Sequence, residues 1–231
     1  MGELAERLDA VRSGVSAAIK EAGRDEAEVT TIVVTKFHPV SLVRDLFDLG
    51  VRDFGENRHQ EARAKAAELS DLDLRWHFIG QLQSKKARQA REYASAVHSL
   101  DRDSVIDALA NSVDSAGDTD VPPLDVFVQL NLTDDPGRGG VSDAELERTV
   151  ERVAEASALR LLGIMAVAPI DAEPREAFAR VRAASERVAS LVPTARFISA
   201  GMSGDYREAI LEGATHLRIG SAITGNRPTP G

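Results

Sequence analysis

Thr30-Thr31-Ile32-Val33-Val34-Thr35-Lys36, followed after Pro39 by Leu42, Val43, Leu46 and Phe47, joins a short β-branched apolar run to a set of apolar residues at helical spacing. The same unit recurs down the chain. Apolar runs at Thr31 to Lys36, Val51 to Phe54, Leu74 to Ile79, Ala96 to Leu100, Leu124 to Leu130, Leu159 to Val167, Ala195 to Ser199 and His216 to Ile219 read as strands. Between them, Val105, Ile106 and Leu109, then Leu146, Val150 and Val153, then Phe178, Val181 and Val188 mark helices. Such alternation without a break in composition predicts an α/β protein, a single-domain (β/α)8 barrel. An open doubly wound sheet is the alternative, but the chain lacks the Gly-x-Gly-x-x-Gly turn that would favour it.

Outside this repeat, Leu4, Leu8, Val11, Val15, Ala18 and Ile19 predict an extra N-terminal helix within residues 1–23, ending near Gly23. Residues 226–231, Pro-rich and polar, read as a frayed tail, and Thr133 to Gly140 as a long polar loop. One domain over 1–231 suffices, since a chain of this length buries roughly 70 to 75% of its unfolded surface.

The 231 residues carry a net charge of −9, with arginines dispersed among acids, which argues against a nucleic-acid partner. No cysteine is present, so disulfides and thiolate metal sites are excluded, and no histidine pair has metal-ligand spacing. The N-terminus lacks a signal-peptide pattern and no apolar stretch is long enough to cross a membrane, so a cytoplasmic location is expected.

In a barrel of this kind the working groups lie where strands end. Polar residues fall there repeatedly: Lys36, Asn57, His77 with Gln81, Asn131, Ser199, and Arg218 with Gly220, together with Met165 on the sixth strand. A lysine at the end of an apolar strand either snorkels to solvent or is partly desolvated, which favours the neutral amine that attacks aldehydes. Ser199-Ala200-Gly201-Met202-Ser203-Gly204 and Arg218-Ile219-Gly220-Ser221 follow the last two strands, the usual phosphate platform of this architecture, although tight turns use glycine too. Ser203 or Asp205 is expected to cap a short helix there, with the Asp205 carboxylate turned away from any phosphate. Amine plus phosphate cradle points to pyridoxal phosphate (PLP). Arg218, in an apolar strand, needs an acceptor: either a carboxylate such as Glu56 or a heteroaromatic nitrogen. His77 reads as structural support, pocket lining, or an acid or base.

Nearly end to end, the sequence resembles the pyridoxal phosphate homeostasis protein family, single-domain relatives of the alanine racemase N-terminal barrel. The resemblance is carried by Val34-Thr35-Lys36, Phe54-Gly55-Glu56-Asn57, Gly201-Met202-Ser203, Arg218-Ile219-Gly220 and above all the stretch from Trp76-His77-Phe78-Ile79-Gly80 to Lys86. It implies that Lys36 holds PLP as a Schiff base, that Asn57 lies beside the ring, that Ser199, Met202, Ser203, Gly220 and Ser221 surround the phosphate, and that Arg218 faces the pyridine nitrogen. His77 and Met165 complete the expected cofactor-binding set, with no catalytic and no metal residue. Three positions depart from the family pattern: Arg58 replaces a usual tyrosine at the pocket rim, and Lys85 and Thr224 alter surface or packing.

Arginine cannot protonate the ring nitrogen fully, so the cofactor is a weak electron sink. Racemisation also needs a second base, which alanine racemase takes from a tyrosine on an added domain; here only Tyr93 and Tyr206 exist. The expected role is therefore PLP binding and homeostasis without turnover, by a monomer, with PLP-dependent apoenzymes as recipients. A weak PLP-dependent amino-acid racemase is the alternative, and a class I aldolase, which also uses a Schiff-base lysine, is the rival from another class.

Overall fold

A computed structural model describes residues 2–112 and 121–226; the expected tail lies, beyond Asn226, outside the described residues. Eight parallel strands close into a barrel in chain order: β1 (Thr30–Val34), β2 (Asp53–Glu56), β3 (Arg75–Phe78), β4 (Ala94–Leu100), β5 (Leu124–Leu130), β6 (Leu159–Ala166), β7 (Phe197–Ser199) and β8 (His216–Ile219). β8 closes on β1 with Thr30 opposite His216 and Ile32 opposite Arg218. The predicted strands are all present, within a few residues at their ends. β1 stops at Val34, so Lys36 belongs to the turn that follows and not to the strand.

The surrounding helices are α1 (Gly2–Glu21), α2 (Val40–Asp48), α3 (His59–Glu68), α4 (Ala87–Arg91), α5 (Asp103–Ala110), α6 (Leu146–Glu155), α7 (Pro174–Leu191), α8 (Tyr206–Leu211) and α9 (Ser221–Thr224). Several turn an apolar stripe onto the outer wall of the barrel. In α6 this stripe is Leu146, Val150 and Val153, all fully buried. The N-terminal helix buries the six predicted residues, packing beside α8 and α9. Two arginines fasten this segment to the barrel on either side of β8: Arg7 of α1 donates through Nε to Ile223 O at 2.8 Å, and Arg24, just past the helix, through Nη1 to Ala214 O at 2.8 Å. Among the described residues no helix is long and apolar enough to cross a membrane.

Strand alternation sends Gly55 into the barrel, against Ile32 and Val34, and its neighbour Glu56 out toward α3. That parity decides the rest of the site. The inward positions hold an unusual number of polar groups for a layer that normally packs branched aliphatics: His77, His98, Ser199, His216 and Arg218.

Candidate cofactor site

At the C-terminal mouth of the barrel a cavity of about 530 Å³ is lined by Lys36, Asn57, Met202, Ser203, Arg218, Gly220 and Ser221, with Val34, Ile79, Val167 and Gly204. This size suits a small cofactor. Seven of the ten expected binding residues therefore converge. A larger groove, about 690 Å³, runs along α1 near the start of β1 and contains none of them.

Lys36 sits half-buried in the turn after β1, and its amine has no hydrogen bond or ion pair with the described residues. The turn is held from outside the barrel. Thr35 Oγ1 donates to Glu56 Oε1 at 2.7 Å, and the buried Lys65 of α3 donates to Thr35 O (2.8 Å), Glu56 Oε1 (2.6 Å) and Glu61 Oε1 (2.8 Å). Glu61 in turn accepts from the Phe37 amide at 2.6 Å. Phe37 has a φ of 68°, a left-handed conformation that costs a side-chain-bearing residue of order 1–3 kcal/mol. The ionic clamp on both sides of Lys36 keeps the chain in that turn. Burial pushes the Glu56 carboxyl above its ordinary value, opposed by its bonds to Lys65 and Thr35, and its Oε2 has no partner among the described residues.

Asn57 enters the cavity because Gly80 leaves room for its backbone: a Cβ at Gly80 would lie 2.0 Å from the Asn57 carbonyl oxygen. Its side-chain Oδ1 is buried and without a partner among the described residues. Beside it Arg58 lays its guanidinium 4.8 Å from the centre of the Phe37 ring, a cation–π contact that buttresses the strained turn. Of the other departures from the family pattern, Lys85 is exposed and Thr224 is buried in α9.

Across the cavity, the loops after β7 and β8 meet where Ala222 N donates to Ser203 Oγ at 3.3 Å. The amides of Ser203, Gly204 and Ser221 make no hydrogen bond with the described residues, so their N–H groups are free for an anion. Gly201, at a φ of 92°, permits the bend, and a Cβ there would come 2.8 Å from that of Ala209. The Asp205 carboxylate turns back onto Met202 N at 2.6 Å. It does not cap α8 with its side chain, contrary to the expectation for that residue.

Arg218 is buried and among the described residues forms no ion pair with a carboxylate. It donates through Nη1 to Ser199 Oγ (2.7 Å) and through Nη2 to Ala166 O (2.9 Å). The pairing with Glu56 considered from sequence is excluded because the barrel wall separates the two side chains. Desolvation lowers the guanidinium to about 10, far below its usual value. A buried cation with two neutral acceptors and an open side on a cavity is suited to an acceptor atom supplied by a ligand.

Three expected residues fall elsewhere. His77 does not line the cavity; both ring nitrogens are engaged below it, Nε2 with Asp53 Oδ1 (3.0 Å) and Nδ1 with His98 Nε2 (2.9 Å). Ser199 is fully buried and does not line the cavity, its hydroxyl bonded to His98 Nδ1 at 2.8 Å and accepting from Arg218. Met165 is buried in β6 opposite Ser199, and Val167, two residues on, reaches the cavity instead. The polar loop after β5 is tied to itself and to the rim: Asn131 bonds Thr133 and Asp135, and Gly140 N donates to Asp101.

Sequence reasoning missed Lys65, Glu61, Asp53 and His98. The inward residues had a readable signal, since Asp53 and Gly55, His216 and Arg218 alternate along their strands.

The family described as alanine racemase, N-terminal domain, matches residues 7–228. The chain is 40% identical over 221 residues to the pyridoxal phosphate homeostasis protein of Corynebacterium glutamicum, covering 94% of this chain and 99% of that one. A protein of the same description from Pseudomonas aeruginosa is 40% identical over 230 residues, covering 98% and 97%. Among solved structures, PipY of Synechococcus elongatus, with PLP bound, superposes with a TM-score of 0.83 at 33% identity, covering 96% of this chain and all of that one.

Proposed function

The chain belongs to the pyridoxal phosphate homeostasis proteins, within the alanine racemase N-terminal domain family, and from that membership we propose that the cavity over Arg218 binds PLP through Lys36. The observation that carries this reading is the pairing, on the walls of one cavity, of an amine and a buried guanidinium that among the described residues are bonded to no carboxylate, the amine to nothing at all. Bound PLP supplies an aldehyde that condenses reversibly with an amine and a pyridine ring that serves as an electron sink.

The residues divide the cofactor between them. Lys36 offers the nucleophilic amine, held by a clamped turn. The free amides of Ser203, Gly204 and Ser221, with the Ser203 and Ser221 hydroxyls, receive the phosphate. Asn57 Oδ1 gives an acceptor beside the ring, and Arg218 directs N–H groups at the pyridine nitrogen. Because a guanidinium keeps its proton even at its lowered value, Arg218 would offer the ring nitrogen a hydrogen bond and not a proton, which would leave the sink shallow. Both tyrosines lie off the cavity, Tyr93 against His59 and Tyr206 against Gly14, so neither offers a second base to a racemase. The protein thus holds PLP reversibly, without turnover, for release to apoenzymes.

Incubation with PLP, borohydride reduction and peptide mass spectrometry tests the attachment. A single adduct on the Lys36 peptide, lost in Lys36→Ala, is expected; an adduct retained in full in that variant overturns the assignment. Exchange of an amino-acid α proton by the loaded protein would move the reading to the racemase.

A further inference from the structure

From the floor of the cavity to the opposite end of the barrel, five side chains form an unbroken row inside the strands. Arg218 Nη1 meets Ser199 Oγ at 2.7 Å, Ser199 Oγ meets His98 Nδ1 at 2.8 Å, His98 Nε2 meets His77 Nδ1 at 2.9 Å, and His77 Nε2 meets Asp53 Oδ1 at 3.0 Å. At the first position of β2, Asp53 is gripped from outside by Arg75 through Nε (2.8 Å) and Nη2 (2.5 Å). The row crosses β8, β7, β4, β3 and β2, skipping the strands that contribute Phe127 and Met165 to the same interior.

The two ends of the row fix its direction. A guanidinium can only donate, and a carboxylate can only accept. With both rings neutral, one arrangement satisfies every contact: His77 carries its proton on Nε2 for Asp53, His98 carries its proton on Nε2 for His77, and the Ser199 hydroxyl donates to His98 Nδ1. Burial holds His98 well below the ordinary histidine value, with His77, Arg218 and His216 adding to the effect, so its ring is neutral. Asp53 remains a carboxylate because hydrogen bonds from His77 and Arg75 outweigh the cost of its burial and hold it at about 2. His216, edge-on to His98, stands outside the row and bonds Thr215.

We propose that Asp53, His77, His98 and Ser199 are positioning residues for Arg218: their one-way row commits the Ser199 proton to His98 and keeps an acceptor lone pair under the guanidinium. Among the described residues Arg218 has one other acceptor, the Ala166 carbonyl. Reversal of the row would aim an N–H of His98 at Ser199 and turn the serine proton out of the row, against the guanidinium or into the cavity. The far carboxylate therefore sets which edge of Arg218 faces the cavity, and through it, on the reading of PLP binding given above, the hydrogen bond to the ring nitrogen.

The test reads the row without the cofactor first. Nitrogen-15 NMR of histidine-labelled protein at neutral pH is expected to find the proton of both His77 and His98 on Nε2; a proton on Nδ1 of either ring overturns the proposal. Asp53→Asn, which puts one acceptor in competition between Arg75 and His77 and offers an amide N–H instead, is expected to shift both rings toward Nδ1–H. In the PLP-loaded protein the same variant should move the nitrogen-15 resonance of the pyridine and weaken PLP binding about three- to tenfold. Asp53→Glu, retaining a carboxylate, should stay near the parent on all these measures. Altered histidines with an unmoved pyridine resonance would show that the row does not position Arg218. Failure of the parent to form a Lys36 adduct would sink the cofactor reading, while the tautomers, measured on the protein alone, would still decide the row.

Discussion

Between β2 and α3, Lys65 meets two carboxylates and a backbone carbonyl, whereas on the other side of the same wall Arg218 bonds a hydroxyl and a carbonyl and, among the described residues, no carboxylate, feeling the Asp205 charge only at a distance. Both cations are at least 95% buried. The ionic cluster is closed upon itself, and its service is mechanical: it binds the backbone on either side of Lys36. The interior row is open at one end, on the cavity, where Arg218 has donors to spare. A buried charge that is fully paired stabilises a conformation, and one left unpaired beside a cavity waits for a ligand.

The contrast is broken most severely by Lys65→Met, which leaves Glu56 and Glu61 without their shared cation. About 3 to 5 kcal/mol of stability should be lost, measured by urea unfolding, since removing one partner of a buried pair is costly. Smaller, and confined to acid, is the contribution of Asp53. Its folded value of about 2 lies below the ordinary 3.8, so its stabilisation is complete above about pH 4 and vanishes as pH falls through 2; it amounts to roughly 2 kcal/mol. Glu56, raised by burial, titrates in the opposite sense: what it contributes is present at low pH and lost as pH rises through its folded value. Unfolding curves of Asp53→Asn and the parent should therefore converge toward pH 2. Thr35→Val removes one bond to Glu56 Oε1, which keeps Lys65, and should cost about 1 kcal/mol by the same assay. At the small end, Lys36→Ala should change stability by no more than about 0.5 kcal/mol, since its amine holds nothing, although it removes the adduct entirely. A large loss of stability there would erase the distinction between the two lysines.

Much of the fold was legible. The strand at Leu124 to Leu130 and the helix built on Leu146, Val150 and Val153 announce themselves through local periodicity, and eight such units leave few architectures. The site was legible in part. Lys36, Asn57, Ser203, Gly220 and Ser221 follow strands, Arg218 lies near the end of one, and all βα loops of a barrel end at one mouth. Ser199 and His77 do not line the cavity because both sit one layer below that mouth, a depth that proximity to a strand end does not reveal. Lys65 was invisible, since a lysine in the polar-looking helix His59–Glu68 reads as a solvent-facing residue until its helix is docked on β2.

By itself the sequence determined the alternation of strand and helix, the amine and the glycine-bearing loops, and the acidic balance, since each is written in residues close together in the chain. Only the tertiary structure decided partners. Closing the barrel turned Gly55 inward and Glu56 outward, gave Glu56 to Lys65 in place of Arg218, and strung Asp53, His77, His98, Ser199 and Arg218 into one row. Periodicity fixes which way a side chain points from its own strand, but what it meets there depends on strands brought alongside from a hundred residues away, as Ser199 is to His98, 101 positions apart.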